Sequence, residues 1–160
     1  MAKIDRKYLA HFINANYGAD PTYVRLGEDL EEYSPELSAQ VDTKKNILGQ
    51  SSVLISAYEK TGSVEPYYAQ AGDPLFEKLQ TILDQGLVLD QLKTDVVDVK
   101  MWMEKAGENA YPAVREEAYI EILSYGGDTS GYQIPFKLHY TGKRTSGTFD
   151  ISNRMFEENV

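Results

Sequence analysis

Residues 132–140 read Tyr132-Gln133-Ile134-Pro135-Phe136-Lys137-Leu138-His139-Tyr140, with an apolar or aromatic side chain at every even position and a polar residue or proline at every odd one. A period of two is that of a strand with one face in a core and the other in water. Pro135 has no amide to give to a ladder, which places it at an edge or a bulge. The same period recurs on both sides. Upstream, residues 114–123 alternate Ala118, Ile120 and Ile122 against Tyr119 and Glu121, and residues 95–103 are rich in valine. Downstream, glycines at 142 and 147 bound a predicted turn into a last strand at 148–151, making a hairpin of the final pair.

Nearer the N-terminus, Tyr23 to Leu26 reads as a short strand ending in the turn formers Gly27, Glu28 and Asp29. Leu37, Ala39 and Val41 then alternate with Glu36, Ser38, Gln40 and Asp42, and Val53, Ile55 and Ala57 alternate up to about Tyr58. The first set predicts a half-buried strand with its apolar residues in the core. Between them, residues 42–52 read as a loop of about ten residues, long for a hairpin. One segment is helical. Asp73 is suited to cap the first free amides and Pro74 to the first helical position, and Leu75, Phe76, Leu79, Ile82 and Leu83 share a face before Gly86 ends the run. About seven strands and one helix make a mainly β protein, a sandwich or barrel with a single packed α-helix.

Residues 1–21 carry His11, Asn14, Asn16, Gly18 and Pro21 among few apolar residues. They read as an N-terminal arm, although Ile4, Tyr8 and Phe12 recur every four and allow a short helix. Residues 22–152 then form the β domain, and residues 153–160 a C-terminal tail.

The chain has 160 residues, 25 Asp plus Glu against 16 Lys plus Arg, a net charge of −9 and no cysteine. A domain of this size buries roughly 70% of its unfolded surface and needs no disulfide or metal to hold a core. Without cysteine there is no thiolate nucleophile, zinc ribbon or iron–sulfur ligand set. The negative charge disfavours a conventional nucleic-acid-binding module. No apolar run reaches the roughly 20 residues needed to cross a bilayer, so the chain is expected to be made and kept in the cytosol.

Motifs for chemistry are lacking, and neither an enzyme nor a cofactor is expected. His11 and His139 have no partner at metal-ligand spacing, and Ser51 and Ser52 lie outside any nucleophile-elbow pattern. Gly142-Lys143-Arg144-Thr145 only resembles the end of a phosphate loop. The acidic run Glu28, Asp29, Glu31 and Glu32 lacks the spacing and glycine of a calcium loop. Two other classes stay open: a small barrel hydrolase with an acid pair, and a monomeric ligand-binding β-barrel.

Five stretches fall in an order that resembles a known family. They are Val24-Arg25-Leu26-Gly27-Glu28-Asp29-Leu30-Glu31-Glu32, Lys44-Lys45-Asn46-Ile47-Leu48-Gly49, Val64-Glu65-Pro66-Tyr67-Tyr68, Gly72-Asp73-Pro74-Leu75-Phe76-Glu77-Lys78-Leu79 and Gln133-Ile134-Pro135-Phe136. Over residues 22–152 the chain resembles bacteriophage tail tube proteins, the major tail proteins. The resemblance implies a virion structural protein: a β-sandwich with one helix that closes into homohexameric rings. Strands of all six subunits would form a continuous inner barrel, and the rings would stack into a tube conducting DNA during ejection. Its implied partners are further copies of itself, the tail terminator, distal tail and tape measure proteins, and DNA in transit. Assembly would take place in the host bacterial cytoplasm, without membrane insertion by this chain. A headless tail-like bacteriocin would use the same subunit.

Two groups of residues follow from this resemblance. The loop residues Lys44, Lys45, Asn46, Ile47, Leu48, Gly49 and Gln50 would reach the adjacent ring. If Leu37, Ala39 and Val41 face the core, alternation sends Glu36, Ser38, Gln40 and Asp42 to the lumen. Ser52 and Ser56 on the next strand and Thr148 and Asp150 on the last would join them, with Lys137 and His139 on the same face.

Overall fold

The computed structural model describes residues 1–18 and 20–159; Ala19 of the expected arm and Val160 of the expected tail lie outside the described residues. The chain is mainly β with one helix. Its strands are β1 (Leu9–Asn14), β2 (Tyr23–Leu26), β3 (Glu36–Lys45), β4 (Ser51–Val64), β5 (Lys93–Lys100), β6 (Ala110–Ile122), β7 (Gly126–Asp128), β8 (Gly131–Gln133), β9 (Phe136–Asp150) and β10 (Met155–Glu158), with helix α1 at Pro74–Gln85. Instead of two stacked sheets there is one antiparallel eight-stranded sheet in the order β2-β1-β5-β6-β9-β4-β3, with β10 also on β9, and a separate β7-β8 hairpin.

The expected arm is in fact an interior strand. β1 lies between β2 and β5, and its polar residues are partnered: buried Asn14 accepts the amides of Asn16 and Thr22 through Oδ1 and turns the chain into β2. Both faces of β1 are covered, so its sequence does not alternate. The expected C-terminal tail likewise contains β10, paired with the end of β9.

The helix forms where the sequence places it. The amide of Leu75 donates to Asp73 Oδ1 at 3.0 Å, Pro74 begins the first turn, and Gly86 ends it in the left-handed conformation at φ 61°. Leu75, Leu79 and Ile82 pack on one face of the sheet with Ile13, Val96, Ile120, Phe136 and Leu138. A second core of Phe12, Val97, Val99, Ala113 and Phe149 lies on the opposite face at the other end. There the rings of Phe12 on β1 and Phe149 on β9 come within 4.5 Å, although β5 and β6 separate their strands. In a flat sheet those strands would be about 14 Å apart. The sheet therefore curls around this second core.

Two predicted connections differ. The unbroken strand over 132–140 is interrupted at Ile134 and Pro135, where the Ile134 amide donates to the Tyr67 carbonyl instead of to a ladder. The predicted turn over 142–147 is not a turn: β9 runs through it, pairing with β6 on both sides of an irregularity opposite Glu117. Gly142, at φ 91°, accommodates the bulge there, while Gly147 allows close approach of β10, since a Cβ would lie 2.7 Å from Phe156 Cζ. The final hairpin is instead β9–β10.

Candidate functional site

The feature least explained by the fold of a single chain is the β3–β4 hairpin. β3 is exposed along its whole length, as is most of β4, and β3 is the edge of the sheet. Register fixes its faces. Leu37, Ala39, Val41, Val53, Ile55 and Tyr58 share one face with Thr43 and Lys60, and Glu36, Ser38, Gln40, Asp42, Lys44 and Glu59 share the other with Ala57 and Leu54. Gln40 Nε2 donates to Glu59 Oε1 across the polar face at 3.3 Å. The expectation that Leu37, Ala39 and Val41 enter the core is wrong: all three are exposed, and none of the described residues covers them. Alternation distinguishes two faces of a strand but does not say that either meets a core.

The loop is also shorter than expected. β3 continues to Lys45 and β4 starts at Ser51, so Lys44 and Lys45 belong to the ladder and only residues 46–50 turn. Asn46 accounts for this: its Oδ1 accepts the amides of Leu48 and Gln50, both at 3.0 Å, and its Nδ2 donates to Gln50 Oε1 at 2.8 Å. Gly49 completes the turn at φ 79°. Ile47 and Leu48 are left pointing into solvent.

The lumen candidates separate into groups. Glu36, Thr61, His139, Tyr119 and Lys93 form one row across five strands, so Glu36, Ser38, Gln40 and Asp42 do share a face with Lys137 and His139. Ser52 pairs with Lys44 on that face, whereas Ser56 is the unpaired residue at the bulge opposite Gln40 and Val41. Thr148 and Asp150 pair with Pro112 and Ala110, on the opposite face from the Tyr119–His139 row, because β9 is one strand whose alternation carries through the bulge at Gly142 and sends its even positions away from His139. They do not join the set. Asp150 instead accepts the amide and hydroxyl of Ser152, which holds its carboxyl below the usual carboxylate range. Glu121 lies beside both basic residues of the face: its Oε1 is 2.7 Å from His139 Nε2, and it stands opposite Lys137 across the ladder. Helix α1 covers the other face of the sheet, so the polar row is on the side without it.

A polar network that the sequence reading missed fixes the base of the hairpin. Lys60 reaches from β4 to Glu116 Oε1 at 2.9 Å and Asp98 Oδ2 at 3.9 Å, with its ammonium 4.3 Å from the centroid of the Tyr140 ring. Buried Glu116 also accepts the Gly142 amide at 3.1 Å, and Arg144 Nε is 3.5 Å away. Asp98 is 2.6 Å from His11 Nδ1, and Arg6 Nη2 lies 2.7 Å from His11 Nε2. A guanidinium has only donors, so Nε2 accepts and Nδ1 carries the proton given to Asp98. Glu116 offered a readable signal, a carboxylate at an inward position between Val114 and Ala118. Burial pushes the hydroxyls of Tyr33 and Tyr140, 2.7 Å apart beside this network, above the ordinary phenol range.

The segment between β2 and β3 crosses above the base, pinned where Arg6 donates to the Tyr33 carbonyl at 2.9 Å. Beneath it opens a cleft of about 710 Å³ that includes Leu26, Val64, Leu75 and the acidic run from Glu28 to Glu32. Among the described residues no three His, Asp or Glu side chains converge to hold a metal ion, and no helix is long and apolar enough to cross a membrane. No protein-family model matches the chain, and no curated protein matches its sequence.

Proposed function

We propose that this chain is a structural subunit that assembles with copies of itself into a tube, as bacteriophage tail tube proteins do, and that the tube conducts DNA. The observation that carries this reading is the β3–β4 hairpin. An edge strand of ten residues with an uncovered apolar face invites strand pairing and burial against another chain, a liability for a protein that stays monomeric. The network of Lys60, Glu116 and Asp98 supports it further, because it anchors the hairpin to the body at its base while leaving both outer faces free.

In the proposed assembly, hairpins of adjacent subunits pair into a continuous barrel and form a homohexameric ring. Helix α1 lies outside, and the face bearing Glu36, Ser38, Gln40, Asp42, Lys137 and His139 lines the channel. Carboxylates there repel the phosphates of passing DNA, whereas a cationic wall would release counterions and retain it. Light scattering across a concentration series tests the assembly. Scattering should rise sharply above a critical concentration; a constant monomer mass at every concentration and salt would count against the reading.

A further inference from the structure

The hairpin tip carries both apolar and charged groups that find no partner among the described residues of their own chain. Ile47 and Leu48 are 103% and 77% exposed, held outward by the Asn46 turn. Lys44 and Lys45 flank them and form no ion pair among the described residues. At the other end of the hairpin lies the cleft of about 710 Å³, with Leu26, Val64 and Leu75 within it and Glu28, Glu31 and Glu32 on its exposed rim. These rim carboxylates also form no ion pair among the described residues. Four cations also line the cleft, and three of them are engaged elsewhere: Arg6 donates to the carbonyls of Leu9 and Tyr33, Arg25 donates to that of Lys7, and the Lys7 ammonium lies 5.3 Å from the centroid of the Tyr8 ring, which leaves Arg154 as the fourth.

Ten residues of β3 separate tip from base, about 33 Å at the rise of a strand, and a continuous two-stranded ladder does not fold back over that span. The tip is thus kept from the cleft of its own chain. We propose that residues 44–48 of one copy dock in the acidic-rimmed cleft of the next, with Ile47 and Leu48 on its apolar floor and Lys44 and Lys45 against the rim carboxylates. This rests on the tube reading and supplies the receptor that the reading leaves open. A tip-to-base contact is heterologous, and directed along the hairpin axis it repeats by translation and stacks subunits instead of closing into a ring.

The absence of cysteine in the chain makes a clean test possible. Two single variants, Leu48→Cys and Glu31→Cys, are mixed in equal amounts, assembled and oxidised with copper phenanthroline. The expected product is a disulfide-linked dimer joining the peptide with position 48 to the peptide with position 31, abundant in the mixture and absent from Leu48→Cys alone. Assembled tubes that give no such product would overturn the docking while leaving the tube reading intact. If the wild-type chain forms neither rings nor tubes, both fall.

A charge exchange covers the case in which the cysteine variants fail to assemble. Lys44→Glu with Lys45→Glu, and separately Glu31→Lys with Glu32→Lys, should each raise the critical concentration by about tenfold at low salt, with the effect shrinking as salt increases. Combining all four substitutions in one chain should restore assembly. Reversals that leave the critical concentration unchanged, or a combination no better than either half, would refute the contact.

Discussion

Val41 and Ile55 face each other across the hairpin, each 53% exposed, on the face that the chain leaves uncovered. Replacing both with threonine keeps the branched Cβ and the preference for a strand, while a hydroxyl takes the place of a methyl at 41 and of an ethyl at 55. In the isolated chain those hydroxyls sit in water, so stability should change by no more than about 0.5 kcal/mol. Assembly is another matter. Full burial of such a side chain is worth about 1.5–3 kcal/mol, so covering the remaining half contributes about 1 kcal/mol for each residue and about 2 kcal/mol for the pair. At 1.4 kcal/mol per tenfold, Val41→Thr with Ile55→Thr should raise the critical concentration about 30-fold. Thermal melting of dilute protein and light scattering of concentrated protein measure the two quantities separately. An unchanged critical concentration would refute burial of this face between subunits. A large loss of stability in the dilute chain would show that the pair is packed within the fold.

Other consequences follow from the same structure. Asp73→Ala removes the acceptor for the Leu75 amide and for the Tyr67 hydroxyl, 2.6 Å from Oδ2, and should cost about 1–2 kcal/mol in denaturant unfolding. Burial raises the hydroxyls of Tyr33, Tyr140, Tyr23 and Tyr67 above the ordinary value of 10.0. Below pH 10 that stability is fully present. Above it the unfolded chain loses protons that the folded chain keeps, so stability should fall by about 1.4 kcal/mol per pH unit for each group retained. Absorbance at 295 nm in native protein at pH 11 should accordingly show fewer ionised tyrosines than in denatured protein, and equal titration would exclude the buried pair. On the channel face, Glu36→Lys with Asp42→Lys should leave tubes intact but make them retain duplex DNA at low salt and release it as ionic strength rises; tubes indifferent to DNA at every salt concentration would put these side chains elsewhere.

How legible each element was depended on what covers its faces. Helix α1 could be read to its boundaries because Asp73, Pro74 and Gly86 act locally and its apolar stripe meets one core. β2 was similarly plain. β1 was hidden because Ile13 enters the helix-side core while Ala10 and Phe12 enter the other, which removes the alternation, and because His11 and Asn14 are polar groups buried with partners. β9 was misread at Gly142 and Gly147, which in sequence look like turn residues and in the fold serve a bulge and a close approach. The hairpin failed in the opposite way. Its alternating pattern was recognised, but a pattern of apolar and polar faces reads the same whether the apolar face meets its own core or another chain. Of the surface residues, the polar face of β3 with Lys137 and His139 was legible from parity alone, whereas Thr148 and Asp150 were misplaced because the turn expected at 142–147 divided the one strand whose alternation puts them on the other face. The Lys60–Glu116–Asp98 network was not, since it joins strands far apart in sequence.

Negative-stain microscopy of the purified protein above its critical concentration looks for the tube itself. Hollow, unbranched tubes of uniform width should be present, with an axial repeat near the length of the hairpin and a central channel that admits duplex DNA. Dispersed single particles under every condition, or sheets and amorphous aggregates without a channel, would contradict it.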